Sequence, residues 1–340
     1  LLFRPNFRRQ DAAWSPDGNS VFYIDGIRNS AFGIFSWTKA TGEKRLLCNF
    51  WKEDEADIKS KGPQSLAVSP DGKQIAFSTQ KELRLMATSG DESRVLFRVA
   101  EPLEIPSMVG IAWTADGQSL IYGEGENASE GADASDPHRS TQLWIIDVDG
   151  GQRKPLGPPI SRLSNFSLHP VGNKIAYTVS SSSENSTIKG IWALENFLPP
   201  LAEEHALHNK PAASAPQRRR VWAGAADKSG ESLDPTTGGV SPDGRYFTGL
   251  KWSDGNLVIR DLKTGRQKSL TKGSGDLKEG YAYYSKPSPD GKQIAYTWSL
   301  GSEGKSQLRV IDVDSGHVEL LYDNPEGAFI YPRAWSPDGE

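Results

Sequence analysis

One phrase returns along this chain at near-regular intervals, and it limits the available folds more than any other feature. It reads AWSPDGNSVFYIDG from Ala13 to Gly26, AVSPDGKQIAFST from Ala67 to Thr79 and AWTADGQSLIYGE from Ala112 to Glu124. It comes back as SLHPVGNKIAYTV from Ser167 to Val179, GVSPDGRYFTGLK from Gly239 to Lys251, KPSPDGKQIAYTW from Lys286 to Trp298 and AWSPDGE from Ala334 to Glu340. The first turn residues are Ser15, Ser69, Thr114, His169, Ser241, Ser288 and Ser336, spaced by 54, 45, 55, 72, 47 and 48 residues. A period of this length marks stacked structural units, each unable to bury its faces alone.

Each unit reads as four antiparallel strands. A short apolar strand ends in Trp14, Val68, Trp113, Leu168, Val240 or Trp335. Then comes a turn in which Pro presets φ, Asp accepts backbone N–H groups and Gly takes the corner with positive φ. The second strand is almost continuously apolar, as in Val21-Phe22-Tyr23, Ile75-Ala76-Phe77 and Ile294-Ala295-Tyr296. That suits burial on both faces. A third apolar strand ends at a Gly turn, and a more polar fourth strand, such as KRLLCN or SRVLFR, suits an outer edge. The pattern predicts an all-β chain, a β-propeller of six four-stranded blades, or seven with one blade split between the termini.

The unit at His169 departs from the pattern. It lacks the SPDG turn and, on this reading, its last strand, and an Ala-, Pro- and charge-rich stretch follows it. The expected organisation is therefore four blades over 1–198, a linker or insertion over 199–220, and further blades over 221–340 in the same ring. Leu1 to Arg4 (LLFR) resembles the fourth-strand segment Val95 to Arg98 (VLFR), and the sequence stops inside a turn. We read it as a window from a longer polypeptide.

Composition fits a folded protein, with 36% hydrophobic residues. A formal charge of −4 gives no field for a polyanion, so no nucleic-acid partner is expected. The single Cys48 excludes an internal disulfide, and no apolar run approaches membrane-spanning length.

Few residues carry chemistry. Asp147/Asp149 and Asp312/Asp314 look like the start of calcium loops but lack the remaining oxygen ligands, so they read as hairpin turns. His205 and His208 lack a zinc-protease spacing and fall in the linker, as does the basic run Gln217 to Arg220. Lys52 to Asp57 forms an acidic loop. A second, from Glu124 to Ser140, is the candidate binding loop, through Glu124, Glu126, Asp133, Asp136, His138 and Arg139. The tryptophans, among them Trp14, Trp113, Trp144, Trp192, Trp298 and Trp335, recur at strand positions and read as inter-blade core rather than a sugar-stacking platform. There is no Gly-x-Ser-x-Gly elbow, no P-loop and no dinucleotide glycine pattern, so neither catalytic residues nor a metal or cofactor is expected.

The run of an apolar residue or Trp, Ser-Pro-Asp-Gly, two variable residues and Ile-Ala-Phe/Tyr resembles the TolB-type propeller repeat. VSPDGKQIAF and PSPDGKQIAYTW carry the likeness, which covers the chain apart from Pro199 to Arg220. The style is also similar to that of acidobacterial multidomain proteins. The resemblance implies the propeller and transfers no catalytic residue, because the shared residues are turn and core residues. Structural motifs abound and no chemical one is present, so the leading expectation is a non-catalytic module binding a protein or peptide. The alternatives the resemblance leaves open are the substrate-gating propeller of a serine peptidase and the sensory domain of a transcription regulator or kinase.

Overall fold

The repeated turn closes on itself through its own side chains. In the second unit the Ser69 hydroxyl donates to Asp71 Oδ1 (2.6 Å) and accepts the Gln74 N–H (2.9 Å). Asp71 Oδ1 also accepts the Lys73 N–H (3.0 Å), while the Gly72 N–H reaches the Ser69 carbonyl (2.9 Å). Gly72 sits at φ +72°, which strains any residue with a Cβ. Ser15, Thr114, Ser241 and Ser288 pair in the same way with Asp17, Asp116, Asp243 and Asp290.

The computed structural model of the protein describes residues 11–27, 31–50, 62–90, 92–106, 109–126, 140–161, 163–168, 174–183, 186–195, 217–224, 233–234, 237–273, 276, 280–301, 305–324 and 330–339. Two compact units result. One comprises Phe7–Val179 and Trp192–Arg220, the other Leu1–Asn6, Ser180–Ile191 and Val221–Glu340.

Strands follow each turn as the repeat predicts. The first sheet has the order β1 (Ala12–Trp14), β2 (Ser20–Ile27), β3 (Ala31–Thr38), β4 (Lys44–Asn49). The second is β5 (Ser65–Val68), β6 (Gln74–Ser78), β7 (Glu82–Ala87), β8 (Arg94–Arg98). In the third, β9 (Leu103–Glu104) pairs with β11 (Ser119–Glu126), and the main order is β10 (Ile111–Trp113), β11, β12 (Ser140–Asp147), β13 (Arg153–Pro155), with β14 (Ile160–Ser161) on β12. The fourth is β15 (Leu163–Leu168), β16 (Lys174–Ser183), β17 (Ser186–Glu195), β18 (Gln217–Gly224). The fifth is β19 (Leu233–Asp234), β20 (Tyr246–Lys251), β21 (Asn256–Asp261), β22 (Gln267–Ser269), and the sixth is β23 (Tyr281–Pro287), β24 (Gln293–Leu300), β25 (Lys305–Asp312), β26 (Val318–Asn324). Among the described residues, six sheets follow the six complete sequence units in order.

Two expectations change. The fourth unit keeps its last strand, because Gln217 to Arg220 opens β18 and is not a linker end. Three arginines made the segment look solvated, yet its backbone pairs as the last strand of the fourth sheet. Val240 makes only an isolated bridge to Phe247, and the first strand of its sheet is β19. Gly238 explains the break: a Cβ there would meet the Thr248 carbonyl oxygen at 1.8 Å, so the chain runs too close for a regular ladder. The candidate helix from Pro200 to Asn209, His205, His208, the loop Lys52 to Asp57 and the segment Leu1 to Arg4 lie outside the described residues.

Within the first unit, the opening strands β1, β5 and β10 lie side by side, and the sheets stack through both faces of their second strands. Phe22, Ile24 and Ile34 pack with Ile75, Phe77 and Met86. Ala76, Leu83 and Leu85 pack with Trp113, Leu120 and Tyr122. Ile121, from the other face of β11, packs with Leu163, Ile175 and Tyr177. Each fully buried Ile, Leu or Phe among them contributes about 1.5–3 kcal/mol. The repeated tryptophan adds a clamp: Trp113 Nε1 donates to the Ala67 carbonyl of the preceding sheet (3.1 Å). Trp335 does the same to Lys286 within the second unit (2.8 Å), at the matching repeat position. Here Tyr246, Leu257, Ala282, Ile294, Tyr296 and Ile311 form the core between the fifth and sixth sheets.

Candidate functional site

Turns that join a first strand to a second face one end of each sheet. The opposite end, where a second strand passes to a third and the next unit enters, varies in sequence. In the fifth and sixth sheets that end carries a continuous run of aromatic rings, placed by main-chain bonds from three separate segments.

The turn after β20 holds Trp252, which is 43% exposed. Its geometry is set by the Gly255 N–H on the Lys251 carbonyl (2.8 Å) and by the ion pair of Lys251 with Asp254 (3.1 Å). The Gly255 carbonyl then accepts the Ala282 N–H of β23 (2.8 Å), which fixes the turn beside Tyr281. In β23, Tyr281 and Tyr283 share a face by the two-residue period of a strand, and Ala282 points into the core. Continued alternation would send Tyr284 after Ala282. Instead the register with β24 shifts between Tyr283 and Ser285, and Tyr284 becomes the extra residue of a bulge at φ +40°. A tyrosine in this region of φ is strained. Its ring turns to Tyr283, with centroids 4.3 Å apart. Ser285, just beyond, is buried and donates to the Thr248 hydroxyl (2.7 Å), which pins the bulge to the fifth sheet.

The third segment follows β26. The Ile330 N–H donates to Ser306 Oγ (3.1 Å) and the Thr297 hydroxyl donates to the Ile330 carbonyl. These bonds set Tyr331 against Tyr284, with centroids 4.5 Å apart. Arg333 is exposed, lies 5.5 Å from the Tyr331 ring and makes no ion pair with a described residue. From Trp252 the rings step to Tyr283 (6.2 Å), Tyr284 and Tyr331, with Tyr281 flanking. Trp252 and Tyr331 at the two ends of this run are exposed, and Tyr281, Tyr283 and Tyr284 between them are half-buried.

The structure places the acidic-loop residues differently. Glu126 is exposed at the end of β11. Glu124, two residues earlier, is buried. Its carboxylate pairs with Arg153 of β13 and accepts the Tyr122 hydroxyl (2.9 Å). The guanidinium donates to Tyr122 Oη (3.0 Å) and lies between the Phe97 and Trp144 rings, at 4.1 and 4.0 Å. Burial raises the Tyr122 pKa far above that of a free phenol. The first sheet repeats this clasp with Tyr23, Asp25, Phe35 and Lys44, at the same register positions. There Lys44 pairs with Asp25 (3.2 Å) and lies 4.6 Å from the Phe35 ring. Repetition in two sheets identifies a structural fastener between second and fourth strands. Asp133, Asp136, His138 and Arg139 lie outside the described residues.

The calcium-like aspartates act as turn residues. Asp147 accepts the Asp149 and Gly150 N–H groups, and Asp312 accepts those of Asp314 and Ser315. Asp261 makes the same bonds to Lys263 and Thr264, where no second aspartate exists. Among the described residues no cluster of His, Cys, Asp and Glu could hold a metal. Burial pushes the Cys48 thiol up, against the pull of Arg84, which disfavours the reactive thiolate. Among the described residues no helix is long and apolar enough to cross a membrane.

The chain matches no protein-family model and no curated protein. It does match solved structures. An oligogalacturonate lyase in complex with manganese aligns at 15% identity and a TM-score of 0.66, over 97% of this chain and 83% of that one. The fold is a β-propeller. The puromycin hydrolase S511A mutant aligns at 15% identity and a TM-score of 0.62, over 93% of this chain but only 47% of the hydrolase. A TolB from Acinetobacter baumannii aligns at 17% identity, over 97% of this chain and 71% of that one, with a TM-score of 0.47 that adds nothing to the assignment. At these identities the likeness is one of architecture, and a shared propeller leaves function to be argued from the site.

The aromatic strip is absent from the sequence reading. Its one local trace is YAYY, Tyr281 to Tyr284, which fits neither strict alternation nor the repeat. Trp252 gave a weaker sign, standing in a turn where an inter-blade tryptophan has no place.

Proposed function

We propose that the chain is a non-catalytic binding or scaffold module that takes a protein or peptide partner on the strip of Trp252, Tyr281, Tyr283, Tyr284 and Tyr331. The observation that carries this reading is the strained bulge at Tyr284, which turns a fourth tyrosine toward that face. Strain of this kind persists where the surroundings hold it, and it gathers at binding sites. Trp, Tyr and Arg are also the residues that dominate interface energetics. Their side chains offer a large apolar area with a polar tip.

The test is capture of proteins from the native lysate on three immobilised baits: wild type, the Trp252→Ala/Tyr331→Ala variant, and a chain with 127–139 replaced by Gly-Ser. A protein held by the first and third baits and lost from the second is the expected result. A protein lost only from the third moves the site to the acidic loop and its exposed flank, Glu126. Equal capture by all three, or none by any, removes the reading.

A second reading, the substrate-gating propeller of a peptidase, is favoured by one observation: the chain spans 47% of the puromycin hydrolase it matches. Sequencing the gene beyond the codon for Glu340 tests it, and a Gly-x-Ser-x-Gly elbow there is the required outcome.

A further inference from the structure

We infer that Asp149–Gly150, in the turn between β12 and β13, is a modification site at which the native chain converts aspartate to isoaspartate and so becomes a substrate for carboxyl methylation. The sequence holds nine Asp-Gly pairs. In each, the glycine nitrogen can attack the side-chain carbonyl carbon of the aspartate, because the glycine carries no side chain to hinder it. A C–N bond forms. The carboxyl group, protonated from solvent, gives up its OH, which leaves with the amide hydrogen as water. The product is a succinimide ring. Water then adds to either ring carbonyl. One opening restores aspartate, and the other routes the main chain through the side-chain carbon, which is isoaspartate. Water alone leaves and returns, so the step draws on no oxidant, reductant or cofactor.

The fold holds eight of these pairs and leaves this one open. In five of the repeated turns the aspartate accepts a Ser or Thr hydroxyl at 2.5–2.7 Å, and the glycine N–H is tied to a main-chain carbonyl at 2.8–2.9 Å. The Gly339 N–H is tied in the same way to Ser336 (2.9 Å). Asp254 pairs with Lys251 and accepts the Asn256 N–H (3.1 Å), while the Gly255 N–H reaches the Lys251 carbonyl. Asp25 lies inside β2 and pairs with Lys44. Asp149 differs at both reacting atoms. Its carboxylate is exposed and makes no hydrogen bond or ion pair with a described residue. The Gly150 N–H has only the Asp147 carboxylate, at 3.3 Å. A Cβ on Gly150 would meet nothing within 4 Å, so no neighbouring atom stops the turn from flexing into the attack geometry. A held pair must first break its bonds, which lowers the population able to react. The matching turn of the sixth sheet has Ser315 in place of Gly150, and Ser315 bonds Asp312 through both its N–H and its hydroxyl (2.7 Å each). Isoaspartate would lengthen the main chain by a methylene in a turn closed by the Gly151 N–H on the Asp147 carbonyl (3.0 Å) and the Asp147 N–H on the Gln152 carbonyl (2.9 Å). The next residue, Arg153, opens β13 and carries the guanidinium that clasps Glu124, so the modified turn loosens that clasp.

Incubation of the full chain at neutral pH and physiological temperature over weeks tests this. Isoaspartate is read by methyl transfer from labelled S-adenosylmethionine with an isoaspartyl carboxyl methyltransferase, and peptide mapping assigns its position. A parallel sample in urea, where no turn is formed, should label at all nine pairs. In the native chain, label at Asp149 should exceed that at every other pair by about tenfold or more, because the bonds that hold the others must open first. Gly150→Ala should remove most of the label at this position, since a side chain on the attacking residue hinders ring closure. Gly150 has no positive φ and has room for a Cβ, so this variant keeps the fold, which an unchanged melting temperature verifies. Asp149→Glu, which could close only a larger ring, should be silent as well. Comparable label at several pairs of the native chain overturns the inference, as does its absence from Asp149 while the urea sample is positive. Undiminished label at this position in Gly150→Ala overturns it too. The modified fraction should melt below the unmodified one, and equal melting overturns the effect on β13.

Discussion

A single hydroxyl holds each repeated turn. Ser69 is buried and serves as donor to Asp71 and acceptor from the Gln74 N–H, so its loss leaves a main-chain N–H without its partner. Ser69→Ala should lower stability by about 1–2 kcal/mol in urea unfolding. Ser69→Thr should leave it almost unchanged, because Thr114 already performs the same task (2.6 Å to Asp116). Equal losses in the two variants would show that the hydroxyl is not what matters. Tyr284 allows a second comparison at this scale. Asn tolerates positive φ and a β-branched residue does not, while both remove the phenol ring. Tyr284→Asn should therefore be more stable than Tyr284→Val by about 1 kcal/mol or more. Identical melting temperatures would mean that the bulge is not under strain in solution.

Elements are fastened to one another by pairs that no local reading of the sequence exposes. Glu124 and Arg153 lie 29 residues apart and meet only because β11 and β13 flank β12. The carboxylate is buried, so removing the guanidinium leaves an uncompensated charge. Arg153→Ala should cost about 3 kcal/mol, and much of that should return in the double variant Glu124→Gln/Arg153→Met. Additive losses in the cycle would show that the two groups act independently. Turn and second-strand positions, by contrast, were plain in the letters, because Ser-Pro-Asp-Gly and Ile-Ala-Tyr encode their geometry within a few residues. The fourth strand of the fourth sheet was hidden by distance and by charge, since β18 begins at Gln217, far beyond the end of β17 at Glu195. The aromatic strip was hidden more thoroughly. It draws on a hairpin turn, a bulged strand and the segment after β26, and only hydrogen bonding through Gly255, Ser285 and Ile330 unites them.

Across the whole molecule, repetition turns a weak local effect into a collective one. The Ser15 and Ser69 hydroxyls hold Asp17 and Asp71 below the usual carboxylate value of 3.8, and the Lys292 N–H does so for Asp290. The N–H groups of Thr264 and Ser315 act likewise on Asp261 and Asp312. A carboxylate whose folded pKa lies below its unfolded value binds fewer protons when folded. Its contribution is therefore present above the unfolded value and disappears as pH falls through the folded one. Melting temperature should be flat down to about pH 5 and drop steeply below about pH 4 as these turns protonate together. The opposite sign holds at the alkaline end. Burial raises the Tyr246 phenol to about 12 while its hydroxyl donates to the Gly291 carbonyl (2.8 Å), so the folded state keeps a proton that the unfolded state releases near 10. Stability from this group is complete below pH 10 and is lost as pH rises toward 12. Circular dichroism melts from acid to alkaline pH, repeated on Asp17→Asn/Asp71→Asn/Asp290→Asn, separate the limbs. The triple variant keeps an oxygen to accept each turn N–H but cannot titrate there, so its acid limb should be shallower, while its alkaline limb should move only slightly to lower pH because the Asp290 charge helps to raise the Tyr246 phenol. An acid limb as steep as that of the wild type would locate acid sensitivity outside the turns.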